Sequence, residues 1–127
     1  MKRTLPLILL VLFTLSPALC AKEPVFPRYS GFVNDYAGVL ESGQRSRLEE
    51  LCRRLESQTS AEMAIAIVSS VAPLDPKGYA VKLFEKAGIG TRKADSGALV
   101  LLAVEDRRVR IEVGYGLEEF ISGGFAG

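Results

Sequence analysis

The sequence predicts an α/β fold in which one sheet is covered by helices on both faces. Residues 63–68 are apolar at every position, which is typical of a central strand buried on both sides. Two segments with helical periodicity, near residues 43–58 and 76–87, supply the helices that such a sheet needs. Two further strands, near residues 98–113, are separated by only a short polar turn.

The first 21 residues have the features of an export signal. Lys2 and Arg3 precede an apolar run from Leu5 to Leu15, and small residues follow. This run is shorter than the ~20 residues of a membrane-spanning helix, so we expect cleavage, no membrane span thereafter, and an extracytoplasmic (periplasmic or secreted) location. The alternative is cleavage before Cys20 with lipidation of that residue, which the bulky Leu19 disfavours.

The composition excludes several functional classes. The sequence contains no histidine, which rules out histidine-based catalytic triads, histidine acid–base chemistry and most zinc sites. Without residues 1–21, which hold two of the 16 basic residues, the chain carries 14 basic and 15 acidic residues. This near-neutral balance argues against nucleic acid as a partner. If Cys20 leaves with the signal, Cys52 has no disulfide partner, and its helix face predicts a buried packing residue.

The elements before the hairpin have recognisable ends. Residues 22–30 contain two prolines and no periodicity, which predicts an extended lead-in that acts as a tether. Ser42 is the predicted N-cap of the first helix. Asp75 and Pro76 predict the start of the second helix, and Gly88 its left-handed C-cap. The predicted inner faces are Leu48, Leu51, Cys52 and Leu55 in the first helix and Tyr79, Leu83, Phe84 and Ala87 in the second.

The last two strands form a predicted hairpin with a turn at residues 105–107. The first of them, ALVLLAVE, is apolar on both faces, whereas RVRIEV alternates strictly, so the second should lie nearer the sheet edge with one wet face. The alternation predicts Val109, Ile111 and Val113 facing inward and Arg108, Arg110 and Glu112 facing outward.

Two acidic residues flank this hairpin. Asp95 precedes its first strand and Glu118 follows its second, so both should lie at the open end of the hairpin. Their carboxylates, together with backbone carbonyls exposed at Gly114 and Gly116, are hard oxygen ligands suited to Ca²⁺ or Mg²⁺. The alternative is that Asp95 starts the strand turn, Glu118 caps a short helix and the glycines only supply positive φ angles.

Asp35, just before the first helix, is a further candidate with two interpretations. It is either a turn residue bonded to nearby backbone N–H groups or a ligand. Whether it joins Asp95 and Glu118 depends on the strand order, which the sequence leaves open.

Three segments together resemble the TPM domain family, which includes exported bacterial proteins of the YgcG type. They are GFVNDYAGVL, KLFEKAGIG and DSGALVLLAVEDRRVRIEVGYGLE, and the resemblance covers residues 31 to about 119. It implies an α/β sandwich with a mixed sheet and helices on both faces, and divalent metal binding, usually of Ca²⁺, at acidic loops. Some plant members of this family are associated with acid phosphatase activity.

The resemblance assigns metal binding to Asp35, Asp95 and Glu118. The family usually has a further aspartate where this chain has Gly123, followed by helices that cover the sheet. We therefore expect a single domain over residues 31–127 with the C-terminal helices missing. An apolar sheet face would then contact an unknown protein partner or a second copy, and the cation site would be weak.

Three functions remain open from the sequence. The first is an exported binding or assembly-assisting module with a weak divalent-cation site. The second is a metal-dependent acid phosphatase in which Arg92 or Lys93 holds phosphate; without histidine it must rely on carboxylates or Ser96. The third is a non-functional truncated fragment, which the abrupt C-terminus suggests.

Overall fold

The computed structural model describes residue 24, residues 26–90 and residues 95–121. The predicted signal over residues 1–21, including Cys20, lies outside this range. In chain order the elements are β1 (Val33–Asp35), α1 (Ser42–Thr59), β2 (Glu62–Val68), α2 (Pro76–Ala87), β3 (Gly97–Ala103), β4 (Arg108–Val113) and a short 3-10 helix at Tyr115–Leu117. Neither helix in this part of the chain is long and apolar enough to cross a membrane.

The four strands form one mixed sheet in the order β1-β2-β3-β4. The pairs β1–β2 and β2–β3 are parallel, and β3–β4 is antiparallel. Because parallel neighbours need a crossover, α1 and α2 join the parallel pairs, while a tight turn joins β3 to β4. The predicted α/β fold with a mixed sheet is confirmed, with β2 and β3 in the middle and β4 at an edge.

Helix α2 packs on one face of the sheet. Its residues Tyr79 and Leu83 are almost fully buried in one cluster with Leu99 and Leu101 of β3. Leu99 pairs in register with Ala64 of β2, and Leu101 pairs with Ala66. The small alanine side chains let the helix come close to the strands. The complete cluster is Ala64, Ala66, Val68, Val71, Tyr79, Ala80, Leu83, Ile89, Leu99, Leu101 and Ala103.

Helix α1 packs against β1 and β2 on the other side of the sheet. Its buried residue, Cys52, is outside the α2 cluster, as are Val33 and Ile67, whose side chains alternate to the opposite face. Burial, with a smaller contribution from the charge of Glu49, raises the pKa of the Cys52 thiol. The predicted packing role of Cys52 is confirmed, since a buried neutral thiol behaves as a small apolar group.

Side chains of α1 cover the outer edge of β1. The Val33 N–H donates to Glu49 Oε1 at 3.1 Å, and Arg45 Nη2 donates to the Val33 carbonyl at 3.2 Å. Residues four apart share one helix face, so one helix satisfies both outward polar groups of Val33. An uncovered edge strand would offer these groups to another chain.

The helix ends follow capping chemistry, with one correction. Asp75 caps α2 through its carboxylate and Gly88 closes it with φ 64°, as predicted. Ser42 is wrong as the N-cap of α1, because it is already the first helical residue. The cap is Glu41, whose N–H donates to Gln44 Oε1 at 3.0 Å. The capping-box spacing of Glu41 and Gln44 outweighs the preference for serine.

The predicted inward and outward faces of β4 are wrong with respect to α2. The register pairs Leu101 with Arg110 and Leu99 with Glu112, so both charged residues share the face that α2 covers. Val109, predicted to face inward, is instead 64% exposed. Because β3 is apolar on both faces, its sequence does not show which face of the sheet carries the charged residues of β4. Other large apolar side chains exposed near this strand are Tyr115 and Phe120.

Residues 26–30 form neither a helix nor a strand, and they cover part of the α2 face. The ring centroids of Phe26 and Tyr79 are 4.9 Å apart, and the Lys86 ammonium lies 4.7 Å from the Phe26 ring centroid. Tyr29 packs against the same core. This part of the lead-in therefore belongs to the packed domain and is more than a tether.

Replacing Glu49 by alanine should lower the free energy of unfolding by about 1–3 kcal/mol, because the buried Val33 N–H loses its acceptor. The neighbouring Glu50 is a matched control: it is exposed and pairs with Arg53 and Arg54, so Glu50→Ala should change stability by less than about 0.5 kcal/mol. Urea unfolding of both variants measures the difference. Equal losses would contradict the proposed role of Glu49 at the sheet edge.

Candidate functional site

The candidate site is the end of the sheet where β3 begins and β4 ends. The Gly116 N–H donates to the Asp95 carbonyl at 3.2 Å, and the Gly114 N–H donates to the Gly97 carbonyl at 2.8 Å. These bonds hold the loop before β3 against the loop after β4. The structure thus brings the segments of Asp95 and Glu118 together at the open end of the hairpin.

Gly114 permits the close approach of these two loops. A Cβ atom at this position would collide with the Asp95 carbonyl oxygen. Its φ of −72° is accessible to any residue, so the glycine is needed for space and not for a positive φ angle. Asp95 itself adopts the left-handed conformation, with φ 54°.

Asp95 and Glu118 line one cavity of about 450 Å³ beside α2. Glu85 of α2 and Glu112 of β4 line it as well. The sequence predicts neither of these positions: the alternation of β4 places Glu112 on the outward face, and nothing in the sequence shows that Glu85 approaches the end of β4. The register of β3 with β4 places Glu112 at the cavity, and the packing of α2 beside β4 places Glu85 there.

The cavity is rich in acid but does not bring its carboxylates into a tight cluster. Arg110 Nη2 lies 3.6 Å from Glu112 Oε2, and this oxygen and Arg110 Nε are buried without a hydrogen bond in the structure. Among the residues described, no group of three or more His, Cys, Asp or Glu side chains could hold a metal ion. A cation here would therefore bind at most two of the described carboxylates, with backbone carbonyls or water completing its shell.

Asp35 lies at the opposite end of the sheet. It ends β1, which runs in the same direction as β3, whereas Asp95 precedes β3. Its Oδ1 and Oδ2 accept the N–H groups of Val39 and Leu40 at 3.2 and 2.8 Å. Of the two interpretations, the structure shows the turn residue, and Asp35 does not join Asp95 and Glu118.

Of the residues considered for phosphate chemistry, the described part of the chain includes only Ser96. Arg92 and Lys93 lie outside the described residues, as does Gly123. Ser96 is not among the residues that line the acidic cavity, and its carbonyl accepts the Glu62 N–H at 2.8 Å.

A family model of the TPM domain matches residues 33–127. The match covers well over half of the chain, so the chain belongs to the TPM domain family. The resemblance described above is thereby confirmed.

Two solution NMR structures share the fold. The N-terminal domain of a protein from P. gingivalis has a TM-score of 0.68 and 32% sequence identity, covering 73% of this chain and 59% of that one. The N-terminal domain of the cg2496 protein from Corynebacterium glutamicum has a TM-score of 0.59 and 21% identity, covering 75% and 60%, and supports the fold alone. This chain spans less than two thirds of either structure. No curated protein sequence matches it.

Asp35 should make the stability of the domain depend on pH in acid. Partial burial raises the pKa of Asp35, but hydrogen bonds from the N–H groups of Leu40, Val39 and Gly38 and the charge of Arg45 outweigh it, and the pKa falls below its ordinary 3.8. A lowered folded-state pKa contributes stability above the unfolded value, and this stability is lost as pH falls through the folded value. The difference in unfolding free energy between wild type and Asp35→Ala should therefore shrink from about pH 5 to about pH 2.

Urea unfolding of both proteins at several pH values checks this expectation. Asp35→Asn is the matched control, because it keeps the acceptor oxygen without an ionisable group. A wild-type to Asp35→Ala difference that stays constant down to about pH 2 would show that the Asp35 charge contributes nothing to stability.

Proposed function

We propose that this TPM domain is an exported binding or assembly-assisting module whose acidic cavity holds a divalent cation weakly. The observation that supports the proposal is the meeting of Asp95 and Glu118 in one cavity, on loops joined by the hydrogen bond from Gly116 to Asp95. Carboxylate and carbonyl oxygens are the ligands that hard divalent cations prefer. A bound cation would reinforce the junction of the two loops.

The same geometry argues for weak binding and for Ca²⁺ over Mg²⁺. The affinity of a hard-cation site rises with the number of charged ligands, and the described residues provide no group of three or more. Arg110 also offsets part of the charge of Glu112. Ca²⁺ accepts irregular shells of carboxylates, carbonyls and water, whereas Mg²⁺ demands near-octahedral geometry.

Millimolar Ca²⁺ should raise the thermal unfolding midpoint of the purified chain by several degrees. A ligand that binds only the folded state stabilises it by about 1.4 kcal/mol at a tenfold excess over its dissociation constant. The shift should fall by about half or more in Asp95→Asn and in Glu118→Gln, which remove one charge each and keep the side-chain shape.

Glu50→Gln on α1 is the matched control, because it removes one exposed negative charge that does not line the cavity. It should keep the full Ca²⁺ shift. A midpoint that responds to neither Ca²⁺ nor Mg²⁺ would rule out the cation site. If Glu50→Gln loses as much of the Ca²⁺-induced midpoint shift as Asp95→Asn does, the cation acts by screening the overall charge. That result would also contradict the proposal.

Export is part of the proposal and rests on the pattern of residues 1–21. Intact-mass measurement of the chain recovered from the periplasm or medium of an expressing bacterium should show that about 20 N-terminal residues have been removed. A mass with a lipid attached at Cys20 would support the lipoprotein alternative. An uncleaved chain confined to the cytoplasm would contradict export.

A further inference from the structure

A second cavity, of about 410 Å³, lies where both helices end. It is lined by Ser60, the C-cap of α1, and by Gly88, the C-cap of α2. Tyr29 and Phe32, on the chain leading into β1, provide aromatic walls. None of the functions considered so far uses this cavity.

The described lining of this cavity is negative. Glu56 of α1 and Glu62 of β2 contribute carboxylates, and no lysine or arginine is among the described lining residues. The C-terminal ends of α1 and α2 add the partial negative charge of two helix dipoles. A positively charged group would therefore be stabilised from several directions.

The carboxylate of Glu62 is held in place by the backbone. Its Oε2 accepts the Gly90 N–H at 2.8 Å. Gly90 has φ 73°, and a Cβ atom there would collide with the backbone nitrogen of Gly97, so this donor is fixed by close backbone packing. A carboxylate that is already oriented needs little reorganisation to receive a cation.

The hydroxyl of Tyr29 is a buried polar atom without a hydrogen bond in the structure. Such groups are rare in folded proteins, because leaving a buried hydroxyl unpaired costs free energy. Burial, followed by the charge of Glu62, raises the pKa of Tyr29, so the hydroxyl stays neutral. Its oxygen can then accept a hydrogen bond from a cationic N–H group near Glu62.

We propose that this cavity binds an organic cation, a primary ammonium or guanidinium group on an apolar stem, with Glu62 as its counter-ion and the Tyr29 hydroxyl as its hydrogen-bond acceptor. The cavity volume is in the range of small-molecule sites. The aromatic walls suit a methylene stem. A lysine or arginine side chain of a partner protein and a free diamine share this chemistry.

Titration of the ¹⁵N-labelled chain with Nα-acetyl-lysinamide tests the proposal directly. The Gly90 amide resonance should move and saturate at millimolar concentration, because its partner Glu62 would contact the ammonium. Nα-acetyl-norleucinamide, with a similar stem but no charge, is the matched control and should leave Gly90 unmoved. A response to 1,5-diaminopentane but not to Nα-acetyl-lysinamide would assign the site to free amines. A response to both compounds would assign it to the ammonium group that they share. No saturable shift with either amine, or an equal shift with norleucinamide, would overturn the proposal.

Variants locate the binding within the molecule. Glu62→Gln should weaken the affinity for the responding amine about tenfold and Tyr29→Phe about threefold. Glu118→Gln, at the other cavity, should leave this affinity unchanged, and Glu62→Gln should keep the Ca²⁺ shift, so the two sites can fail separately. If Glu62→Gln does not fold, Tyr29→Phe and the norleucinamide control still decide. If Glu118→Gln loses as much affinity for the amine as Glu62→Gln does, the attraction is non-specific. That result would overturn the proposal.

Discussion

The close approach of three backbone segments at the start of β3 is the constraint on which the rest of this structure depends. A Cβ atom at Gly90, Gly97 or Gly114 would collide with backbone atoms of one of the other segments. The end of α2, the start of β3 and the end of β4 can meet only because these positions lack side chains. This junction sets where α2 returns to the sheet and holds together the loops that carry Asp95 and Glu118.

Both cavities adjoin this junction, and the acidic residues around it differ from those at the far end of the sheet. At the far end, Asp35 accepts two backbone N–H groups, and Asp106 accepts the Val71 N–H and the Ser70 hydroxyl, so their carboxylates are committed to turns. At the junction, Asp95 and Glu118 border open space. The carboxylates that line the two cavities therefore lie at the junction end of the sheet, where they can attract cationic ligands.

Local sequence patterns predicted the helix ends and the hairpin. The sequence carried no pattern for long-range features such as strand direction and register. Asp75, Pro76 and Gly88 mark the ends of α2 because capping chemistry depends on adjacent residues. The meeting of Asp95 and Glu118 followed from an antiparallel hairpin, which needs no knowledge of the other strands. The separation of Asp35 from that pair could not be predicted, because it depends on the direction of β1. The place of Glu112 beside α2 could not be predicted either, because β3 is apolar on both faces and only the register distinguishes them.

The side chains of Arg45 and Glu49 that cover β1 also limit how this domain could assemble. They occupy the outward polar groups of Val33, so strand addition at β1 would have to displace them, whereas β4 is the other margin of the described sheet. Joining two copies through their strands would place β4 against β4 and use the available margin of each copy. Growth by strand addition would then stop at a pair. The same two side chains that complete the hydrogen bonds of Val33 thus disfavour an open-ended fibre built from native sheets.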